Sequence, residues 1–457
     1  MSRAAPIVFF LALLSGCAPR PAPLTAPAWQ VQAGFVRDAA GRAAIFRGVN
    51  LSGRHKQPPY FDFHQSADYQ RVREEWGFNS VRFLVSWAAL EPREGEYDEA
   101  YLDGLALRLG WAKDAGLAVV LDMHQDVWGE GFGGNGAPRW TCDESRYAAF
   151  KPVSPWFLAY VDPNVIACFD GLWKSRSLQA RYAAAWRHLA ERLDSDAVVG
   201  FDPMNEPFWG SFPIDSFEAQ RLQPFYETIV AEVRAARPGW LAFLEPASSR
   251  NLGFATSLKA FPFPNVVYAP HSYDSDAEAG KGFDPSRREA LTSNLAKLGQ
   301  EAAGLGAALW VGEYGGNADQ AGIGEYMGAT YDETGALCAG AMFWHYGKDD
   351  GYGLLRADGT EKTALLDALV RPYPERVAGD PEAYGWDEST RTFTFRYRAS
   401  ANQDSPTVIS VPVRSYPAGF EVDCGGCAFE RAEGSLRLTS APPGSPSTLV
   451  LRPAVGP

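Results

Sequence analysis

Phe201-Asp202-Pro203-Met204-Asn205-Glu206-Pro207 closes the short apolar run that begins Val198-Val199-Gly200, and its reading decides the fold. A buried strand that ends in Asn-Glu-Pro delivers a carboxyl group to a site and then stops. Pro207 lacks a backbone N–H and restricts Glu206 before it. A second segment, Ala308-Leu309-Trp310-Val311-Gly312-Glu313-Tyr314-Gly315-Gly316, has the same form. Each glutamate stands at the C-terminal end of an apolar run, where a (β/α)8 barrel keeps its chemistry. Asn-Glu-Pro alone is also compatible with a plain turn after a strand. Two strand-end glutamates supply the two carboxyls that must flank a glycosidic bond for it to be hydrolysed.

Outward from these segments, apolar runs alternate with helical patterns. Strands are expected at residues 44–49, 79–84, 117–123, 198–204, 241–244, 265–269, 308–312 and 339–344, with helices between them such as 101–115 and 178–193. Eight alternating units predict a closed α/β barrel, the TIM barrel, rather than an open sheet. The expected strand ends carry Asn50, Arg82, His124 with Asp126, Asn205-Glu206, Glu245, His271 with Tyr273, Glu313 and Trp344.

Two connections are oversized. Residues 125–177, after the third strand, hold ten aromatics and the glycine-rich stretch 129–136; a long aromatic loop over a barrel mouth reads as a substrate wall. The loop after the fourth strand carries Phe208, Trp209, Phe212, Ile214, Phe217 and Leu222, too apolar for a solvated turn. Arg371-Pro372-Tyr373-Pro374 reads as a break. Beyond it, short alternating runs at 392–397, 406–412, 435–438 and 447–451 read as a small antiparallel β-sandwich. The expected organisation is a signal and tether over 1–28, a catalytic barrel over 29–370 and the β-sandwich over 371–457.

The N-terminus reads as an export signal. Arg3 precedes the apolar core 7–14, which is too short to span a bilayer. Leu14-Ser15-Gly16-Cys17 looks like a bacterial lipobox, so Cys17 is expected to be acylated and to hold an exported lipoprotein at a membrane surface. An outer-membrane location is expected in a Gram-negative host; an ordinary secreted form is the alternative. Cys142 and Cys168 flank the long insertion and could close it, Cys424 and Cys427 could form a local bridge, and Cys338 is left over. No Cys/His spacing matches a metal site, and no cofactor is expected. The formal charge of −13, with no basic run, argues against nucleic acid. A monomer is expected.

The chemistry assigns roles. Glu206 would be the general acid and base: protonated when the leaving group departs, deprotonated when it activates water. Glu313 would be the nucleophile, ionised at rest and held so by Arg82 through a charge-assisted pair. Asn205 is placed for the sugar 2-hydroxyl. Tyr273 could steady Glu313, His271 could orient Glu206 or the leaving group, and Trp344 offers a stacking floor. Glu245, at the fifth strand end before Pro246, could be an acceptor that supports the reacting groups, or even the nucleophile in place of Glu313. The fifth strand lies next to the fourth, whereas the seventh lies across the mouth, and that favours Glu313.

Together these residues resemble glycoside hydrolase family 5, over the whole barrel. Within it the chain resembles the endoglycoceramidases, on Leu121-Asp122-Met123-His124-Gln125-Asp126-Val127-Trp128, Phe132-Gly133-Gly134-Asn135-Gly136-Ala137-Pro138, Lys56, Pro270-His271-Ser272-Tyr273, Gly312-Glu313-Tyr314-Gly315 and Phe343-Trp344. The resemblance implies retaining hydrolysis of the β-glycosidic bond between glycan and ceramide in a glycosphingolipid. It implies that Lys56, His124, Asp126 and Trp173 bind sugar hydroxyls or stack on the sugar, and that the apolar loop after the fourth strand forms a groove for ceramide. Arg139-Trp140-Thr141-Cys142 and the insertion after it depart from the pattern on the glycan side. An exo-acting β-glucosidase on glucosylceramide or a steryl glucoside is therefore an alternative. A surface lipoprotein that binds glycans without cutting them would have lost a glutamate or its supporting shell, and both are intact.

Overall fold

The computed structural model describes residue 1 and residues 28–454, apart from 349, 401–404, 442 and 445. The expected export signal, Cys17 and the tether before residue 28 lie outside the described residues. Among the described residues, no helix is long and apolar enough to cross a membrane.

Eight parallel strands close into a barrel: Arg47–Leu51, Ser80–Val85, Ala118–Met123, Val198–Asp202, Leu241–Leu244, Val266–Tyr268, Ala308–Tyr314 and Gly340–Tyr346, barrel strands 1 to 8. Side chains on a strand alternate between faces, and the sequence uses both. Val120, Leu241, Phe243, Val267, Trp310 and Met342 pack together inside the barrel. Their neighbours Val119, Leu121, Ala242, Leu244, Val266 and Val311 pack outward against the helices. Gly48 is needed on the inner face, because a Cβ there would lie 1.7 Å from the Ser80 carbonyl oxygen. The inward series then turns polar towards the C-terminal mouth: Val120 is followed by Asp122 and His124, Phe243 by Glu245, Ala269 by His271, and Ser80 by Arg82. Three of the outer helices, Glu99–Asp114, Pro163–Lys174 and Arg176–Arg192, begin at side-chain caps, as where Asp98 accepts from the Tyr101 amide.

The first strand differs from the expected span 44–49. Ala43–Ala44 is a separate short strand, paired with Phe35–Asp38 and with Tyr373–Val377. Residues 29–44, read as part of the barrel, instead join a seven-stranded sheet with the C-terminal strands Tyr373–Val377, Thr407–Ser410, Ser435–Ser440 and Ala428–Ala432. A four-stranded sheet of Gly379–Asp387, Thr392–Ala399, Pro446–Pro453 and Phe420–Asp423 accompanies it. Phe393, Phe395, Ile409, Leu436, Leu449 and Leu451 belong to the sandwich's own core. The N-terminal ribbon also lays Val36 on the apolar plug at the bottom of the barrel, away from the polar mouth. Disulfides join Cys142 to Cys168 and Cys424 to Cys427, and Cys338 is free and buried.

Three histidines are buried beside strands 1 and 8. His55 Nδ1–H donates to the Ser52 carbonyl at 2.9 Å, His64 Nε2–H to the Tyr346 carbonyl at 2.9 Å, and His345 Nε2 lies 2.8 Å from Asp350. Burial lowers the His55 imidazole to about 4 and holds His64 well below its ordinary value. The unfolded chain protonates both near 6.5. Their contribution to stability is therefore complete above that pH and is lost as pH falls from about 6.5 towards 4, about 3 kcal/mol for His55. Urea midpoints should drop over this interval, and less steeply in His55→Gln. A wild-type midpoint flat from pH 6.5 to 4.5 would contradict the assignment.

Candidate active site

Arg82 sits at the centre of the mouth with no exposed surface. Its Nη1 donates to Glu313 Oε1 at 2.6 Å and to Asn50 Oδ1 at 3.1 Å. Its Nη2 lies 3.0 Å from Asp202 Oδ2, 3.0 Å from Asn205 Oδ1, 2.9 Å from Glu245 Oε1 and 3.0 Å from Asp122 Oδ1. One guanidinium thus ties together the ends of barrel strands 1, 2, 3, 4, 5 and 7. Bidentate, charge-assisted bonding of this kind is what arginine provides and lysine does not.

Glu313 reaches this centre because strand 7 carries one extra residue against strand 8. Val311 pairs with Ala341 and Tyr314 with Phe343, and such a bulge re-aims a side chain. Its second oxygen accepts from Tyr273 Oη at 2.8 Å, and His271 Nδ1 stands 3.5 Å away. Burial pushes the Glu313 carboxyl up, but His271 and Arg82 outweigh it and hold it below the ordinary value.

Glu206 takes its direction from its own backbone. Its φ is 41°, in the left-handed region that Pro207 helps enforce by disfavouring a right-handed helical residue before it. The turn is held from both sides. The Glu206 amide donates to Glu245 Oε2 at 2.8 Å, and Gln125 Nε2 donates to the Glu206 carbonyl at 3.2 Å. Glu206 Oε1 meets His271 Nδ1 at 2.9 Å and accepts from Asn251 Nδ2 at 2.7 Å. A carboxylate oxygen of Glu206, one of Glu313 and a nitrogen of His271 all lie within 4.8 Å of one another. Burial lowers the His271 imidazole, yet Glu245 and Glu313 raise it well above its ordinary value, which favours the imidazolium.

Asn205 is fully buried. Its carbonyl accepts from Arg82 and its amide donates to the Gln125 carbonyl at 3.1 Å, which leaves one amide hydrogen for a ligand. Opposite, Lys56 Nζ pairs with Asp126 Oδ2 at 2.7 Å and lies 4.4 Å from the Trp344 ring centre. Trp344 stacks on His124 at 5.5 Å and 16°, and His124 Nδ1 meets Asp122 Oδ2 at 2.7 Å. Burial raises the Asp126 carboxyl, but Lys56 and His124 hold it well below the usual range. This wall is a set of fixed polar groups beside one half-buried indole, the surface a sugar ring requires.

The structure brings together Glu206, Glu313, Lys56, Arg82, His124, Asp126, Asn205, His271, Tyr273 and Trp344. It does not bring in Trp173, which is 1% exposed, packs edge-on against Phe217 and Phe225, and donates through Nε1 to the Phe208 carbonyl. The aromatic from the insertion that faces the mouth is Tyr160, whose hydroxyl lies near Gln125, Asp126 and Glu206. The loop after strand 4 is not an open groove either, since Phe208, Phe217 and Leu222 are buried. Asp122, Asp202, Asn251 and Tyr160 were not singled out in the sequence. Asp122 was the findable one, since it shares the inward face with Val120 and His124. Glu245, the rival nucleophile, is buried beneath Arg82 and His271.

The sequence model described as Cellulase (glycosyl hydrolase family 5) matches residues 37–350, and that of the glycoside hydrolase family 5 C-terminal domain matches 371–449. Endoglycoceramidase I of Rhodococcus hoagii is 28% identical over 433 residues, 89% of this chain and 84% of its own. Endo-glycoceramidase II from Rhodococcus sp., solved in complex with ganglioside GM3, superposes with a TM-score of 0.83 at 29% identity, covering 92% of this chain and 99% of that one. A glucosylceramidase of Cryptococcus neoformans is 30% identical over 258 residues, 42% of this chain and 35% of its own.

Proposed function

The chain belongs to glycoside hydrolase family 5, and from that membership we propose that it is a retaining, endo-acting hydrolase that releases the glycan of a glycosphingolipid from its ceramide. The observation that carries the reading is the approach of Glu206 and Glu313 oxygens to within 4.8 Å. Retaining glycosidases hold their carboxyls about 5 Å apart, whereas inverting ones need about 6.5–9.5 Å to admit a water.

In the first step the ionised Glu313 attacks the anomeric carbon while Glu206 protonates the departing glycosidic oxygen. In the second, Glu206 takes a proton from water, which displaces Glu313 from the sugar. His271 and Asn251 both bind Glu206 Oε1, so Oε2 is the oxygen free to carry the proton. The last amide hydrogen of Asn205 serves the 2-hydroxyl. Lys56, Asp126, His124 and Trp344 hold the sugar being cleaved.

A lipid aglycone is supported by where apolar surface is exposed. Of eleven large exposed apolar side chains among the described residues, five lie in residues 153–161, including Trp156 at 57% and Val161 at 67%; two more are Leu252 and Phe254. Both loops adjoin the acid/base: Tyr160 packs on Phe208 at 5.0 Å, and Asn251 binds Glu206. A group that protonates the leaving oxygen faces the aglycone, so this rim would meet the lipid. Similarity to an endoglycoceramidase solved with GM3 supports the same reading.

Mass spectrometry of products from detergent-dispersed lactosylceramide and glucosylceramide, offered separately, tests it. Intact lactose plus ceramide from the first is expected. Free glucose from glucosylceramide, with lactosylceramide untouched, would mean an exo-acting enzyme instead. Trp156→Asp with Phe157→Asp should lower kcat/KM on lactosylceramide about tenfold, roughly 1.4 kcal/mol, and leave a soluble aryl lactoside unaffected.

Export and acylation at Cys17 are part of the same proposal, supported by the apolar core 7–14 and the Leu-Ser-Gly-Cys motif. Cys17→Ala should shift the protein from the membrane fraction to the soluble one. A variant that stays membrane-bound would refute the anchor.

A further inference from the structure

Asp202 and Glu245 lie beneath the reacting groups, wholly buried, and neither touches the sugar in the mechanism above. The guanidinium of Arg82 has five hydrogens, but six oxygens stand within hydrogen-bond distance of it: those of Glu313, Asn50, Asp202, Asn205, Glu245 and Asp122. Four of the six belong to carboxyl groups, and Arg82 carries one charge. Oxygens of Asp122, Asp202 and Glu245 also lie within 4.8 Å of one another. Three bare carboxylates at that spacing, removed from water, repel strongly unless charge is supplied.

The other cations do not reach all of them. His124 serves Asp122 at 2.7 Å, and His271 Nε2 stands 3.2 Å from Glu245 Oε1. Asp202 has Arg82 alone, and its Oδ1 is buried with no donor. The remaining titratable groups that face it, Tyr182 from helix Arg176–Arg192 and Tyr226 from helix Gln223–Ala236, are neutral phenols. An acceptor without a donor, next to an anion, becomes a satisfied donor if it carries a hydrogen.

We propose that Asp202 and Glu245 form a buried carboxylic acid–carboxylate pair in which Asp202 keeps a proton through the catalytic cycle and donates it to Glu245, and that this pair positions Glu206 and keeps His271 charged. Burial, and then the Glu245 charge, raise Asp202 well above the usual carboxylate range, while Glu245 is lowered chiefly by His271 against its own burial. The proton leaves Glu245 ionised, with Oε2 on the Glu206 amide and Oε1 shared by Arg82 and His271. Glu245 is thereby the anchor of the left-handed turn at Glu206. Neither residue is a nucleophile; both are positioning residues.

The test has a spectroscopic and a kinetic arm. In enzyme labelled with carbon-13 aspartate, the infrared spectrum at pH 7 should contain a protonated-carboxyl C=O band, absent from Asp202→Asn. A wild-type enzyme without that band would overturn the proposal, and this readout needs no variant to fold and no assumption about the reaction. Its failure is therefore distinguishable from failure of the glycosidase reading, on which the kinetic arm rests. Kinetically, Glu245→Gln should lower kcat/KM about 100-fold, the scale of a small misplacement of a catalytic group, and shift the pH profile as His271 loses its anionic neighbour. Asp202→Asn, whose amide also donates to Glu245, should keep the wild-type shape of the pH profile. The same pH shift in Asp202→Asn as in Glu245→Gln would mean that Asp202 works as an anion, and would overturn the proposal.

Discussion

Glu313→Ala should abolish turnover, by about 10⁴-fold or more in kcat, the scale on which removal of a covalent nucleophile acts. The fold should persist. Arg82 keeps Asp122, Asp202 and Glu245 as partners, so the variant loses one of four carboxyls around a single guanidinium and buries no new unpaired charge. Azide should restore part of the activity, because the space vacated by the carboxylate admits a small anion below the anomeric carbon. The product should be the glycosyl azide of inverted configuration, since one displacement then replaces two. Turnover within tenfold of wild type would remove Glu313 from its role and return attention to Glu245.

Arg82→Ala acts on the other side of the same balance. It strips the cation from Asp122, Asp202, Glu245 and Glu313 together and leaves the Asn205 carbonyl without its donor. Removing one partner from a buried ionic cluster costs about 3–5 kcal/mol, because the charges left behind remain desolvated. The variant should unfold at markedly lower urea than wild type, with activity lost alongside. Arg82→Lys should recover little of either, since one ammonium cannot serve six oxygens on five strands. Near-normal stability of Arg82→Ala would mean that the carboxyls are paired by something other than this arginine.

Most of the barrel was legible because the inward face of each strand changes from apolar to polar towards one end. Val120-Asp122-His124, Phe243-Glu245 and Ala269-His271 are spaced by two, the period of a strand, and polarity at such positions is hard to reconcile with a packed interior. The two catalytic candidates were read from their place at strand ends rather than from parity, and parity would have misled. Trp310 and Gly312 occupy the inner face of strand 7, so Glu313 should point outward; the extra residue before Tyr314 turns it in. On strand 4, Val119 pairs with Val198 but Val120 with Gly200, and the extra Val199 brings Asp202 onto the inner face, which hid Asp202 from a sequence count.

Long-range pairing was also out of reach. Residues 29–44 carry alternation fit for any sheet, and only the folded chain shows Ala43–Ala44 beside Tyr373–Val377, more than 300 residues away. Trp173 followed the resemblance into the sugar site, but helix Pro163–Lys174 turns that face onto Phe217 and Phe225 and leaves Tyr160 facing the mouth. The loop after strand 4 was apolar for the same reason: it is the other half of that packing. Exposed apolar surface lies instead on 153–161 and at Leu252 and Phe254.

The retaining mechanism requires Glu313 to form a covalent bond to the sugar while Glu206 moves the proton. Inactivation with a 2-deoxy-2-fluoro lactoside, which slows the second step, followed by peptic digestion and mass spectrometry, tests this most directly. A fluoroglycosyl adduct on the peptide containing Glu313, with mutation of Glu206 slowing both its formation and its decay, is the predicted result. An adduct on Glu245, or steady turnover with no adduct at all, would contradict it.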